Sequence, residues 1–496
     1  MAVPIIVVQI AMARAGPILK GRVVETLRAR FGSDVQLDTL QVTIAHGVDV
    51  SGDGLRIFPL PEVMAAGYRT PLIAVGHFEF HATLSGLIFR PTHVGTVRVR
   101  GLHINMPPAD VRAKAGSRPH RLGKIKIRVD EIVCDASELV IGTDKPDKDP
   151  RVFELKHVVL RDLGPGNAWP YDAVLTNPVP RGEIHAAGTF GPWNMDDPGD
   201  SNVSGQYSFE HADMNTIKGL GGILNSTGSF NGQLDRIAVH GKTEVPNFSL
   251  DTANHPMPLL TEFRATVDGT SGDTYLEHID AKLGGSQFTC SGAVVNIKGR
   301  GHAIHVTADV EQGNIGDFLQ LAIKTLPPAM SGLISLTTSL DIDPGGESVT
   351  RKLNMKGEFS LREIHFTDAE VEDKVDILSL RARGETDNLK SGAPDVQSRL
   401  VADFSMRRGE LTFPHLEYWL PGGDVKLSGT YRLEGRICDF AGDVRTKAEV
   451  SNMIASKWKR ILLKPIDPFF RKHGWGAVIP VHVSGRNGKV KVGLRF

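Results

Sequence analysis

From Gly301 to Gln312 the chain reads GHAIHVTADVEQ, with Ile304, Val306, Ala308 and Val310 separated by His305, Thr307 and Asp309. Apolar residues at every second position line one face of a β-strand, because successive side chains point to opposite sides of the pleat. The same period of two occurs upstream in Phe78, Phe80, Ala82 and Leu84, and in Ile125, Ile127 and Val129. Downstream it returns in Ile334, Leu336, Thr338, Leu340 and Ile342, in Ile479, Val481 and Val483, and in Val490, Val492 and Leu494. Extended over the chain, the pattern predicts roughly 25 strands punctuated by glycine and proline turns, more than one β-sandwich holds.

Helical period is scarce. Leu19, Val23, Leu27 and Phe31 fall at four-residue steps after Pro17, which predicts a short N-terminal amphipathic helix. Further helical stretches are expected at Asp213 to Leu224, Ile315 to Leu326 and Val450 to Phe470. Two segments look alike: His278 to Gly292 (HIDAKLGGSQFTCSG) and His415 to Gly429 (HLEYWLPGGDVKLSG) each read as strand, Gly-Gly turn and strand. The chain divides into an apolar start (1–16), a helix and β-region (17–212), a second β-region with weak internal repetition (213–445) and a closing module (446–496).

Every alternating strand must place its apolar face against something, and so few helices cannot cover them all. Two arrangements satisfy the pattern. In one, closed sandwiches pack their own apolar faces together. In the other, an elongated, curved, antiparallel-rich sheet forms a groove whose inside is covered by acyl chains, each buried CH2 contributing about 0.8 kcal/mol.

Lys+Arg and Asp+Glu both number 57, so the formal charge is zero and no basic footprint for nucleic acid is present. The run Lys124, Lys126 and Arg128 alternates with Ile125, Ile127 and Val129 and is the solvated side of a strand. With 23% charged residues the chain is not a polytopic membrane protein. Pro4 to Ala13 (PIIVVQIAMA) is apolar but about half the ~20 residues a spanning helix needs. It reads as part of a membrane anchor, as a signal-peptide core or as a buried segment. Cys134, Cys290 and Cys438 lie far apart, form no CxxC pair and are expected as small apolar side chains within strands.

No nucleotide loop, zinc-protease motif, nucleophile elbow or calcium loop is present, and no enzymatic activity or cofactor is expected. His77, Glu79 and His81 project from one side of a strand, a spacing able to present three ligands to zinc. The competing reading makes them the wet side opposite Phe78, Phe80 and Leu84.

The two ends resemble AsmA-like proteins of the bacterial envelope, a group that includes the larger TamB-like members. At the start the resemblance rests on LKGRVVETLRARFGSDVQLDTLQVTI (Leu19 to Ile44) followed by GVDVSGDGLRI, and at the end on FAGDVRTKAEVSNM and LLKPIDPFFRKHGWGAVIPVHVSG within Phe440 to Phe496. The middle is similar only as strand-rich sequence. The resemblance implies a noncatalytic protein that hangs an elongated β-groove from the inner membrane into the periplasm and binds phospholipid. Its expected role is lipid transport between membranes or outer-membrane biogenesis, with a scaffold for envelope assembly as the alternative. Phe78, Phe80, Leu84, Ile125, Ile127 and Val129 would then face acyl chains, as would Ile304, Val306, Leu336 and Leu340.

Near the end, Trp458, Ile461, Leu462, Phe469 and Phe470 mix with Lys457, Lys459, Arg460 and Lys464. That mixture suits a headgroup boundary and predicts a C-terminal amphipathic helix touching the outer membrane or an envelope partner protein. The alternative is a lid over the last strands.

Overall fold

The computed structural model describes residues 20–25, 27–28, 32–44, 48–82, 92–108, 127–142, 150–164, 168–178, 180–192, 198–217, 219–251, 253, 255–324, 326–386, 396–454, 464, 467, 471, 474–487 and 489–494. Among them, 25 strands join into a single sheet. It is mainly an antiparallel meander, each strand hydrogen-bonded to the next, as in Gly301–Asn314, Met330–Ile342 and Leu353–Phe366. One pair is parallel, Thr92–Met106 with Ile127–Ile141. Another irregularity lies at the short strand Leu220–Gly221, past which Asn202–Asp213 pairs with Ile223–Gln233. The sheet is not closed: the ladder runs from Thr39–Ile44 at one end to Lys489–Leu494 at the other, and these two do not pair.

The two look-alike segments form equivalent hairpins. Leu283 pairs with Ser286 around Gly284 at φ 57, and Leu420 pairs with Gly423 around Gly422 at φ 95. A left-handed backbone at the turn is what a glycine supplies without a Cβ clash.

Helices are few. Residues 20–25 and 27–28 are helical, within the expected N-terminal helix. Ile315–Ala322 forms as expected but ends four residues earlier than Leu326; the Asn314 side chain caps it by accepting from the Gly316 N–H. Asp213 to Leu224 is not a helix. After one 3-10 turn at Met214–Thr216, Gly219 and Gly222 adopt positive φ and the chain turns into strand. An unexpected helix, Ala369–Arg383, is capped by Asp368 at its start and Gly384 in the left-handed conformation at its end. The C-terminal helix expected from Val450 to Phe470 falls mostly outside the described residues, which show a 3-10 turn at Val450–Met453.

The longer helices share one edge of the sheet, whereas the short helix Val349–Lys352 follows Met330–Ile342 at the opposite one. In an antiparallel meander, alternate strands end on the same side, and Gly301–Asn314, Leu353–Phe366 and Ile437–Thr446 each lead into a helix or 3-10 turn. Ile315 joins Val310, Ile334, Leu361 and Ile364 in a buried cluster with Phe318 and Leu319 against it. Ala382 packs with Val396 and Leu420. These clusters anchor the strand ends, and a third, of Val75, Val99, Cys134, Val158 and Ala173, is buried among strand side chains with no helix over it.

Candidate functional site

Cross-strand partners share a face of the sheet, so the register decides what each face carries. Starting from Val42, successive partners are Val50, Phe80, Val97, Ile132, Leu160, Tyr171 and Gly188. The row continues through Gly205, Phe230, Val239, Ala265, Leu276 and Gly292. It ends through Val306, Leu340, Met355, Met406, Leu411, Tyr431, Cys438, Gly485 and Val490. No charged residue interrupts it from one end of the sheet to the other.

Beside it runs a second row, from Gly52 through Phe78, Val99, Cys134, Val158, Ala173, Ala186 and Tyr207 to Gly228. It goes on through Gly241, Phe263, Ile279, Cys290, Ala308, Thr338 and Gly357 to Phe404. Aromatic rings lie over glycines here. A Cβ added to Gly52 would come 2.6 Å from the Phe78 ring, and one on Gly241 2.8 Å from the Phe263 ring.

The apolar face has a further geometric property. A Cβ at Gly188, Gly228, Gly292, Gly429 or Gly442 would fall 1.9 to 2.1 Å from a carbonyl oxygen of the adjoining strand. All five glycines share this face, where the neighbouring strand's carbonyl oxygen leaves no room for a Cβ.

None of the described Phe, Tyr or Trp residues is among the buried hydrophobic residues, whose largest fully buried apolar members are Val35 and Val245. Large rings are the first side chains a sealed core encloses, since each buries 150–250 Å². The rings on this face, including Tyr171, Tyr207, Phe230, Phe263, Phe359 and Phe440, stay half-exposed.

The opposite face is charged and already paired. One of its rows reads Asp53, His77, Arg100, Asp135 and His157. His77 Nδ1 lies 2.7 Å from Asp53 Oδ1 and His81 Nδ1 2.7 Å from Asp49 Oδ1, while Glu79 is 3.7 Å from Arg98. The three candidate zinc ligands are thus each taken up by a neighbour across the strands. Similar pairs recur as His157–Asp135 at 2.6 Å, His305–Asp341 at 2.6 Å and His482–Asp439 at 2.7 Å. Thr39 Oγ1 and His77 both hydrogen-bond Asp53, and these bonds, Thr39 first, hold its carboxyl below the usual range.

Of the expected acyl-facing residues, Phe80, Val306 and Leu340 stand in the uninterrupted row and Phe78 in the one beside it. Leu336 partners Val310 and Phe359, and Ile304 partners Val294 and Ile342 on the same face. Val129, half-buried, pairs with Val94 and Leu163, three residues before Ile132 and so out of phase with strict alternation. Ile127 begins its strand opposite Thr92. Leu84, Ile125 and the proposed membrane-contact residues Trp458, Ile461, Leu462, Phe469 and Phe470 lie outside the described residues. The sequence reading missed Tyr171, Phe230, Phe263, Met355 and Met406, where glycines or single polar residues break up the alternation.

All three cysteines lie on the apolar face. Burial pushes the Cys134 thiol up to about 11, with the Asp135 charge adding to it, and raises Cys290 as well.

No helix among the described residues is long and apolar enough to cross a membrane. No protein-family model, curated protein or solved structure matches the chain.

Proposed function

We propose that the protein is a noncatalytic envelope protein of AsmA type. In this reading its apolar face forms an elongated groove that binds phospholipid acyl chains, and the protein supports lipid transport between membranes or outer-membrane biogenesis. The observation that carries the reading is the uncharged row from Val42 to Val490, flanked by aromatic rings that no second layer of the described structure buries. Half-exposed rings along a whole sheet face cost hydration free energy unless another apolar molecule covers them. Acyl chains are suited to this because they are long, flexible and indifferent to side-chain detail. The crowding at the five glycines supports a sheet curled toward the apolar side, as a groove requires. At about 4.8 Å per strand, such a path over the sheet has an upper length of about 120 Å.

The body would stand in the periplasm, tied to the inner membrane through its N-terminus and reaching the outer membrane or an envelope partner through its C-terminal end. Mass spectrometry of lipid retained by the chain after mild detergent extraction tests the reading. Retained phospholipid, lost in a variant with charge on the apolar face, is the expected result. A well-folded chain carrying none would sink it and leave the scaffold alternative.

A further inference from the structure

At the helix-bearing edge of the sheet, the turn after Ile437–Thr446, the end of helix Ala369–Arg383 and the approach to Ala477–Arg486 surround a cavity of about 620 Å³. That is within the ~300–1,000 Å³ range of small-molecule sites. Among the described residues, Arg383, Lys447 and Arg471 line it with the carboxylate of Glu449, and Trp475 and Asn452 stand beside them. With Glu385 held against Arg383, the described wall carries three cations and two anions.

The backbone holds this arrangement in place. Ala448 N–H donates to the Ala382 carbonyl at 2.9 Å, Lys447 N–H to Gly422 at 2.8 Å and Gly476 N–H to Thr446 at 2.9 Å. A Cβ on Gly422 would sit 2.5 Å from the Arg383 Cγ, so the glycine is what lets the arginine stem lie against the turn.

The cations are not equally engaged. Glu449 binds Arg471, and Glu385 lies 3.3 Å from Arg383 Nη1. Lys447 is exposed and has no carboxylate partner among the described residues. Arg383 Nε is enclosed without an acceptor, an unsatisfied donor that a turn of the guanidinium toward an anion would relieve.

Position adds the second argument. Val425, Val444 and Ile479 are cross-strand partners on the apolar face, followed toward the edge by Gly423, Thr446 and Ala477. The cavity opens just past them, so Trp475 is four residues, about 13 Å of strand, from Ile479. A molecule with an anionic head and apolar chains fits this sequence of surfaces in that order.

We infer that this cavity is a phosphate site, filled by the headgroup phosphate of a lipid whose chains lie on the apolar face. The inference rests on the proposed lipid binding for the identity of the phosphate's carrier, but not for the site itself. Arg383 and Arg471 supply planar donors to phosphate oxygens, Lys447 a point charge, and Trp475 an amphipathic wall at the boundary.

The test exposes the delipidated full chain to vesicles of equal phosphatidylglycerol and phosphatidylcholine, then measures protein-bound lipid by mass spectrometry. A separate arm titrates inorganic phosphate by calorimetry. The expected result is about tenfold enrichment of phosphatidylglycerol, reduced to the input ratio in Lys447→Glu and Arg471→Gln with total lipid unchanged. Glu449→Gln, which frees Arg471, should raise the enrichment. Lipid bound at the input ratio by the parent, or enrichment surviving both cation variants, overturns the site while leaving lipid binding intact. If no lipid is retained but inorganic phosphate binds and Lys447→Glu abolishes it, the phosphate site stands with a soluble source and the lipid reading fails. Binding of neither probe overturns both.

Discussion

Leu340 and Asp341 are neighbours in sequence and opposites in circumstance. Leu340 stands between Val306 and Met355 in a row with no charge for the length of the sheet. Asp341 holds His305 at 2.6 Å on a face where carboxylates, imidazoles and hydroxyls find one another across the strands. Among the described residues, eight histidines sit within 3.3 Å of a carboxylate on an adjoining strand in this way. The paired face is complete without another molecule. The apolar one leaves its rings partly exposed among the described residues, and this difference is what the proposed lipid binding rests on.

The sharpest way to break this comparison is to place one charge on either side of a single strand. Leu336→Lys enters the cluster of Val310, Ile334 and Leu361, and an unpaired ammonium there should cost about 3 kcal/mol or more. Thr337→Lys, one residue on, arrives between Asp309 and Glu358 and should change stability by less than about 0.5 kcal/mol. Urea unfolding of both variants measures this. Equal midpoints would mean that the two faces are not distinct.

A second contrast concerns backbone crowding. Gly292→Ala drives a Cβ to 2.0 Å from the His305 carbonyl oxygen on the next strand, so the ladder must open locally. The expected loss is about 3 kcal/mol, as for an overpacked core position. Gly299→Ala meets no atom within 4 Å and suffers only its φ of +67, a strain of about 1–2 kcal/mol. If the order reversed in thermal or urea melts, the crowding that supports a curled sheet would be wrong.

How much of this the sequence discloses depends on what each residue answers to. Ile304, Val306, Leu336 and Leu340 were legible because their alternation is local, and a strand cannot carry it without sorting the two faces. The uninterrupted row was not legible, since it is built from registers between strands that no single stretch records. Gly188 and Gly205 read as strand weakeners alone, yet in register they stand between Tyr171 and Phe230. Helix Ala369–Arg383 did leave a signature: Asp368 as cap, Glu370 and Glu372 in the first turn, Arg381 and Arg383 in the last and Gly384 after it. It was overlooked because surrounding strands dominate the pattern. The basic cavity was hidden, for Arg383, Lys447 and Arg471 are far apart in sequence.

Cysteine labelling sharpens the comparison within the apolar face. A thiol raised from 9.0 to about 11 carries about one-hundredth of the thiolate near neutral pH, and the thiolate is the nucleophile. Cys134 should therefore alkylate about 100-fold more slowly than an ordinary exposed thiol, on this account alone. Cys438, half-exposed next to Tyr431 and Gly485, should react first, and bound phospholipid should slow it. Rapid modification of Cys134 in the folded chain would show that its cluster with Val99 and Val158 opens readily.

The smallest effect is expected on the paired face. Asp53 is held below the usual carboxylate range chiefly by the Thr39 hydroxyl and then by His77. A depressed folded value means that the ionised form is favoured by folding. The stabilisation is present above the unfolded value and disappears as pH falls through the lower folded one. Thr39→Val removes the leading cause and lets Asp53 move back toward its ordinary range. The variant should be slightly less stable than the parent at neutral pH, and the gap should narrow as both are taken below pH ~4. Because Asp53 is open to solvent, screening keeps the difference small, and high salt should leave the hydroxyl's share while shrinking that of His77. Paired urea melts along a pH series resolve it. A gap that widened toward acid would show that Asp53 gains nothing from Thr39, and that this pairing is incidental to the fold.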